Sequence, residues 1–271
     1  MEPYSFSPLK RKLIEMKNNI TPSRRHFLKT ASVGTLAAVG LPAIVTSALA
    51  AEKPSKKITF NEGDIILFQG DSITDWGRDH SKNDPNNTSS LGSGYTLITA
   101  SQLLLNHADK NLKIYNKGVS GNKVYQLAER WDTDCLALKP NVLSIHIGVN
   151  DFWHTLTGGY TGTIDTYIAD YKKLLDRTKA ALPDIKLVIC EPFAQKGVKA
   201  VDDKWYPTFD LFRKAAADIA QQYDAVFVPY QAAFTKAEKI APAPYWNLDG
   251  VHPSVAGEAL MAQTWLKAVG A

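Results

Sequence analysis

Apolar and polar residues follow two different periods along this chain. Five short segments are apolar along nearly their whole length, as strands covered on both faces of a sheet should be. They lie at 64–70, 112–118, 141–148, 185–193 and 225–230. Longer segments carry apolar residues at helical spacing, and they lie at 94–108, about 124–138, about 163–182, about 207–222 and 253–270.

This alternation of strands and helices predicts βαβ units. Parallel strands joined by helices place those helices on both faces of a single sheet. We therefore expect an α/β fold of the flavodoxin-like kind, a three-layer α/β/α sandwich with a five-stranded parallel sheet. The polar stretch 78–94 is expected to be a long surface loop at a strand end. Such loops are either irregular segments without a function or part of the lining of a site.

The first fifty residues have a different character from the rest. The stretch "PSRRHFLKT" pairs Arg24 with Arg25, and an uncharged apolar run follows that closes on Ala-Leu-Ala. A basic region, an apolar region and a small-residue exit are typical of a signal peptide, and the twin arginine resembles a Tat signal. We expect a leader over 1–50, one folded domain over 51–271, and a periplasmic or extracellular location. A membrane anchor is the alternative, since the apolar run is just long enough to span a bilayer, but Pro42 and the small-residue exit favour cleavage.

Without this leader the charge balance changes sign. The 271-residue chain has 31 Lys and Arg against 27 Asp and Glu, and residues 1–50 hold seven of the former and two of the latter. The remainder carries 24 basic and 25 acidic residues. The excess of positive charge therefore belongs to the leader, and we expect no nucleic-acid partner. We also expect no stable membrane association once the leader is removed.

Cysteine and histidine usage predicts neither a disulfide scaffold nor a metal site. Cys135 and Cys190 could form one disulfide after export, although Cys190 lies in an apolar strand and should be a buried, inert thiol. Four histidines of the mature chain have no ligand-like spacing with one another, so we expect no metal and no cofactor. They are His80, His107, His146 and His154.

Polar residues and glycines leave the predicted strands where a ligand should bind. In open α/β sheets, ligands bind beyond the carboxyl ends of the strands. Ser72 follows the first strand, Gly121 the second and Asn150 the third, and the last loop supplies Asp249 and His252. A hydroxyl, a glycine amide, a carboxamide and an Asp/His pair at one edge are the groups that acyl transfer requires.

Each group has a role in that chemistry. The Ser72 hydroxyl is a weak nucleophile until a base such as His252 takes its proton. Asp249 can orient the imidazole ring and offset the positive charge that it then carries. The backbone amides of Ser72 and Gly121 and the side chain of Asn150 could form the oxyanion hole. Taken singly, Ser72 and His252 could be helix caps and Gly121 and Asn150 ordinary turn residues. Their order at successive strand ends favours catalysis.

The blocks "GDSIT", "GVSGN", "GVND" and "DGVHPS" resemble the four signature blocks of the SGNH (GDSL-type) hydrolases. The resemblance covers about 63–270 and implies the roles given above for the nucleophile, the oxyanion donors and the Asp/His pair. It also implies structural roles for Asp71 and Asp151, which do not match the family's triad acid. The flanking stretches are similar to a subgroup of carbohydrate acetylesterases that includes acetylxylan esterases. Gly250 is a departure from some relatives and could alter the rim of the pocket.

Aromatic residues near the expected site suggest a sugar substrate. Aromatic faces stack on sugar rings, and a guanidinium donates to hydroxyls. The candidate binding residues are Trp76, Arg78, Tyr95, Trp153 and Trp246. Trp131 lies in a helical stretch and is expected to pack in the core.

Together these expectations describe an exported serine esterase. It would remove O-acetyl groups from a carbohydrate such as xylan or xylo-oligosaccharides through an acyl-Ser72 intermediate. Two alternatives stay open: an esterase, lipase or thioesterase for other short acyl chains, and a non-catalytic glycan-binding protein on the same fold. The sequence also leaves a homo-oligomer open.

Overall fold

The computed structural model describes residues 57–271. Its centre is a sheet of five parallel strands in the order β2-β1-β3-β4-β5. The strands are β1 (Ile65–Gly70), β2 (Lys113–Asn116), β3 (Val142–His146), β4 (Lys186–Cys190) and β5 (Val226–Val228). The predicted five-stranded parallel sheet and three-layer fold are confirmed.

The strand order creates a crevice beside β1. The chain leaves β1 for β2 on one side and later returns to β3 on the other, so the connections diverge at the carboxyl end of β1. Gly70 pairs with His146, and the last residues of β1 and β3 therefore lie level. Such a switch point is where doubly wound sheets bind ligands.

Helices cover both faces of the sheet. On one side α3 and α9 pack against α11, and on the other α4 and α8 pack against α7. The α-helices of the described residues are α1 (Ser72–Asp75), α2 (Thr88–Leu91), α3 (Tyr95–Asn106), α4 (Val124–Glu129), α5 (Trp131–Asp134), α6 (Val149–Thr157), α7 (Ile164–Ala181), α8 (Thr208–Gln222), α9 (Tyr230–Ala237), α10 (Ala243–Trp246) and α11 (Val255–Val269). Short 3₁₀ turns lie at Ala108–Lys110, Leu136–Leu138 and Asp203–Trp205.

The predicted helices at 94–108, 163–182, 207–222 and 253–270 match α3, α7, α8 and α11 to within two residues at each end. The prediction of a single helix over 124–138 is wrong, because the helix is interrupted at Arg130, between α4 and α5. Arg130 leaves helical geometry, with φ −108° and ψ 9°, and its guanidinium donates to the Lys117 carbonyl and to Asp134.

The block "GVND" leads from the third strand into a helix, and Asn150 and Asp151 lie in the first turn of α6. The strand expected at 225–230 ends at Val228, because Tyr230 already begins α9. The polar stretch 78–94 is a loop except for the one turn of α2.

Buried aromatic residues join the layers. Trp131 is fully buried, and its indole N–H donates to Thr178 on α7 at 2.9 Å, so its expected packing role is confirmed. Trp265 of α11 donates similarly to Ser144 of β3. Cys135 and Cys190 are both buried and unpaired, as expected for Cys190.

The leader expected over 1–50 lies outside the described residues. Among residues 57–271, no helix combines the length and the apolar character needed to cross a membrane.

Candidate active site

Ser72 occupies the turn from the central strand into the first helix. β1 ends at Gly70, and Ser72 is the first residue of α1. Asp71 caps this helix, since its Oδ1 accepts a hydrogen bond from the Ile73 N–H at 3.1 Å. The turn therefore presents the Ser72 side chain at the carboxyl edge of the sheet, half-buried and in reach of the C-terminal loop.

Ser72, His252 and Asp249 form one hydrogen-bonded relay. Ser72 Oγ lies 2.8 Å from His252 Nε2, and His252 Nδ1 lies 2.7 Å from Asp249 Oδ2. The second carboxylate oxygen of Asp249 accepts the backbone N–H groups of Val251 at 2.8 Å and of His252 at 2.7 Å. Because the carboxylate is fixed from two sides, it can hold the imidazole in the orientation that faces Ser72.

The loop that carries this pair is folded tightly around Gly250. Gly250 has a φ of +100°, and a Cβ there would lie 2.5 Å from the Val201 side chain and 2.7 Å from the Val198 carbonyl oxygen. Its own carbonyl accepts the Gln195 N–H at 2.8 Å. Gly250 is itself buried against the 198–201 loop, and its influence on the rim of the pocket stays a prediction.

Charge and hydrogen bonding set the protonation of the pair. Partial burial opposes the charged form of Asp249, but hydrogen bonds from His252 and Val251 outweigh it and lower the carboxyl pKa to about 2. Burial also opposes the imidazolium of His252. The hydrogen bond and negative charge of Asp249 outweigh that effect and raise the pKa of His252 above its ordinary value. This Asp249 carboxylate is thus placed to stabilise a transient imidazolium.

The expected oxyanion donors lie on three neighbouring elements. The turn before Gly121 is tied to β1 by the Val119 N–H, which donates to the Gly70 carbonyl at 3.1 Å. Asn150 Nδ2 donates to the Asn122 carbonyl at 3.2 Å, which uses one of its two N–H groups. Gly121 has a φ of +79°, a conformation that favours glycine.

Two of these donors are free. Within residues 57–271, the backbone N–H groups of Ser72 and Gly121 donate to no other protein atom. Together with the second N–H of Asn150, they leave three donors for a developing oxyanion. The arrangement is the one that acyl transfer uses to stabilise a tetrahedral intermediate.

Two further carboxyl groups lie beneath the site. Burial raises the pKa of Asp71 and of Asp151 to about 7. Asp71 caps α1, and Asp151 Oδ1 accepts the Val124 N–H at the start of α4 at 3.2 Å. Neither carboxyl forms a hydrogen bond with His252. Each accepts a backbone N–H at the start of a helix, which is consistent with the structural roles expected for them.

Comparison with known proteins fits this geometry. Residues 68–260 match the model of the GDSL-like lipase/acylhydrolase family. The chain belongs to that family. It is therefore a carboxylic ester hydrolase, and the resemblance to the SGNH (GDSL-type) hydrolases is confirmed.

Two relatives of this GDSL-like hydrolase are informative. An acetylxylan esterase from Geobacillus stearothermophilus is 33% identical over 212 residues, which cover 77% of this chain and 94% of the relative. The solved structure of an acetylxylan esterase from the same organism superposes with a TM-score of 0.71 at 31% identity, covering 79% of this chain and 97% of that one. A protein from Parabacteroides merdae described as a GDSL-like lipase is 54% identical, with a TM-score of 0.78, over 79% of this chain and 99% of that one.

Mutant structures of the Geobacillus esterase identify catalytic positions in that protein. They replace a serine, an aspartate or a histidine, the last two lying three residues apart. Asp249 and His252 of the GDSL-like hydrolase have the same spacing.

Two of the expected substrate-binding residues flank the imidazole. The Trp76 ring stacks on His252 with centroids 5.6 Å apart and planes at 30°. The Trp153 ring lies 6.3 Å from His252 and is supported from behind by the fully buried Trp205 at 5.8 Å. Both tryptophans are half-buried, so they form walls of the GDSL-like hydrolase's site.

Two other candidate binding residues have side chains that are buried in the described structure. Tyr95 is fully buried, with its hydroxyl 3.1 Å from Thr74 Oγ1 in the core below α1. The Arg78 side chain is only 5% exposed, and its guanidinium donates to Asp75 and to the Gly118 carbonyl. Both follow active-site blocks in sequence, but their side chains turn inward.

Trp246 has no ring contact with the relay among residues 57–271. Its indole N–H donates to the Ala241 carbonyl at 2.9 Å, its ring pairs with that of Tyr245, and it packs against the hydrophobic core. Among residues 57–271, no cluster of three or more His, Cys, Asp or Glu side chains is arranged to hold a metal ion.

Sequence reasoning missed several residues beside the oxyanion donors. Lys123 and Tyr125 come two and four positions after Gly121, so the block itself could have indicated them. Tyr160 and His154 are brought there by α6 and the turn after it, and nothing in their local sequence indicates this placement.

Proposed function

We propose that this chain is a serine esterase that removes O-acetyl groups from a carbohydrate, with xylan or xylo-oligosaccharides as the substrate class. The observation that carries the proposal is the unbroken relay from Ser72 through His252 to Asp249. The similarity to an acetylxylan esterase over 77% of the chain supports the choice of substrate.

The relay supports a two-step hydrolysis. His252 Nε2 takes the proton of Ser72 as Oγ attacks the acetyl carbonyl carbon, and Asp249 offsets the imidazolium. The same proton then passes to the departing sugar oxygen as the C–O bond breaks, which leaves acetyl-Ser72. Water attacks this ester as it gives one proton to His252, and acetic acid leaves as that proton passes to Ser72 Oγ; the acid then ionises to acetate in solution.

Both tetrahedral intermediates carry a negative oxygen. The N–H groups of Ser72 and Gly121 and the free N–H of Asn150 are the donors for it. Loss of one such donor typically lowers kcat by about a hundred- to a thousandfold. These donors belong to the backbone and to a buried side chain, so they need little reorganisation during the reaction.

The walls of the site favour a small acyl group. Trp76 and Trp153 both lie against the His252 ring, and Trp205 holds Trp153 in place. Two indole rings packed on the base restrict the space around it, and this crowding supports a short acyl group such as acetyl.

Acetate release tests the proposal. The chain should release acetate from acetylated xylan and cleave 4-nitrophenyl acetate, and Ser72→Ala should abolish both activities. A Ser72→Ala variant that retains turnover contradicts the assignment of the nucleophile. Activity on the small ester without any on acetylated sugars would favour the broad short-chain esterase, and no turnover at all would favour a glycan-binding protein.

We propose in addition that the chain is exported through its first fifty residues. The paired Arg24 and Arg25 and the apolar run after them support this location. The amino-terminal sequence of the protein recovered from the periplasm or medium would test it. A start near Ala51 supports cleavage, and an intact leader in the membrane fraction supports an anchor.

A further inference from the structure

Three side chains next to Gly121 have no role in the relay. Lys123 follows Gly121 by two residues, a span of at most about 7 Å for an extended chain. Tyr125 comes two residues later, in the first turn of α4. Tyr160 joins them across the turn after α6, where its N–H donates to the His154 carbonyl at 3.1 Å. His154 Cε1 in turn lies 3.9 Å from the position that a Cβ on Gly121 would take.

The two tyrosines form a stacked aromatic pair. Their ring centroids lie 5.9 Å apart and their planes differ by 18°. Tyr125 is 37% exposed, and Tyr160 is partly exposed. The exposed part of this pair presents apolar ring carbons to solvent. A ligand with an apolar face of its own would cover them.

Lys123 places its ammonium against both tyrosine rings. The residue is only 7% exposed, and its Nζ lies 5.0 Å from the Tyr160 ring centroid and 5.9 Å from that of Tyr125. Its nearest acceptor is Gln126 Oε1 at 3.5 Å. Among residues 57–271 it forms no ion pair, although a buried lysine usually has one. An ammonium has three N–H donors, so this one keeps donors for a ligand.

We propose that Lys123, Tyr125 and Tyr160 form a sugar subsite, named here the tyrosine subsite, which binds a neutral pyranose ring of the glycan next to the acetylated ring. The proposal rests on the carbohydrate acetylesterase function proposed above. The C–H face of a pyranose matches the tyrosine rings, and its hydroxyls can accept from Lys123. A long acyl chain is a poor fit, because it would lie on a charged group without satisfying its donors.

The experiment compares a long substrate with a short one. Tyr125→Ala should raise KM for acetylated xylo-oligosaccharides about tenfold more than for 4-nitrophenyl acetate, which cannot span the site and the subsite. Tyr125→Phe keeps the ring and should stay within about threefold of wild type on the oligosaccharide. Lys123→Met should also raise KM selectively for the oligosaccharide.

A matched control lies at the opposite edge of the sheet. Tyr223 is a partly exposed tyrosine just before the amino end of β5, so Tyr223→Ala should leave the ratio of the two KM values unchanged. Equal changes of both KM values in Tyr125→Ala overturn the tyrosine subsite, even when acetate release from xylan supports the proposed function.

Direct binding separates the two proposals. Titration of unacetylated xylohexaose into Ser72→Ala should show binding that weakens about tenfold on adding Tyr125→Ala. Binding with this dependence, but no acetate release by the wild type, would support the tyrosine subsite and contradict the proposed function. Absence of xylohexaose binding, or binding that ignores Tyr125, overturns the subsite.

Discussion

Asp75 ties the end of the nucleophile's helix to the residue before Gly121. Asp75 Oδ2 accepts the backbone N–H of Ser120 at 2.9 Å and its hydroxyl at 2.7 Å. Its other oxygen accepts from His80 at 2.8 Å and from Arg78 at 3.3 Å. The carboxylate is nearly buried and thus fixes the glycine-bearing turn relative to α1.

Asp75→Asn should therefore lower kcat by about ten- to a hundredfold with little change in KM. The carboxamide keeps one acceptor oxygen, so it cannot accept from Ser120 on one side and from His80 and Arg78 on the other. The Gly121 N–H is then no longer held in the orientation that points to the oxyanion. Steady-state kinetics on 4-nitrophenyl acetate measure this split, and Asp79→Asn is the control, since Asp79 is an exposed aspartate nearby. A raised KM at constant kcat would instead place Asp75 in substrate binding.

The pH dependence of kcat/KM should report His252. Only the neutral imidazole accepts the Ser72 proton, so activity falls as pH drops through the pKa of His252, which Asp249 holds above the ordinary 6.5. In Asp249→Asn the inflection should move to lower pH, and the plateau rate should fall by about ten thousandfold. A profile that is flat from pH 5 to 8 in the wild type would contradict the role of His252.

Glu258 should make the fold less stable as pH rises. Burial raises its pKa to about 8, and its Oε2 accepts the Tyr95 N–H at 2.6 Å. The folded chain thus holds a proton that the unfolded chain loses above its ordinary value of 4.5, so the free energy of unfolding falls between pH 4.5 and about 8. Glu258→Gln should show a smaller loss of Tm between pH 5 and 8. An equal loss in both proteins would refute this source of pH dependence.

Gly250→Ala tests the packing of the triad loop. The new Cβ meets Val201 and the Val198 carbonyl at a backbone conformation that disfavours alanine. We expect a destabilisation of about 2–4 kcal/mol, together with lower kcat because Asp249 and His252 shift. Gly63→Ala is the control for backbone strain alone, since Gly63 has φ +75° with no atom within 4 Å of the added Cβ. Equal losses in both variants would exclude the clash as the cause.

Residues at strand ends were the predictable part of the site. Parallel strands end at one edge, so Ser72 and Asn150 could be brought together from the strand pattern. His252 lies after β5, α9 and α10, so its place depended on its spacing from Asp249 and on the family resemblance. The strand order followed from neither periodicity nor motif, and the break at Arg130 depends on contacts with Lys117 and Asp134 that are made only in the folded chain.

Side-chain direction was the part that sequence could not give. Tyr95 and Trp76 both follow the first block, yet Tyr95 begins α3 and points into the core, while Trp76 lies on His252. Tyr160 reaches Tyr125 from 35 positions away through the turn after α6, and no local pattern encodes that contact.

Trp153 should set the length of acyl chain that the site accepts. Its ring stands beside His252 and is backed by Trp205, so Trp153→Ala would open space next to the acyl carbon. We expect the ratio of kcat/KM for 4-nitrophenyl butanoate over the acetate to rise about tenfold or more, since one methylene in a pocket is worth about 1–3 kcal/mol. Trp246→Ala is the matched control, because Trp246 is half-buried and has no ring contact with His252 among residues 57–271. An unchanged ratio in Trp153→Ala, or an equal rise in both variants, would mean that another part of the site limits the acyl chain.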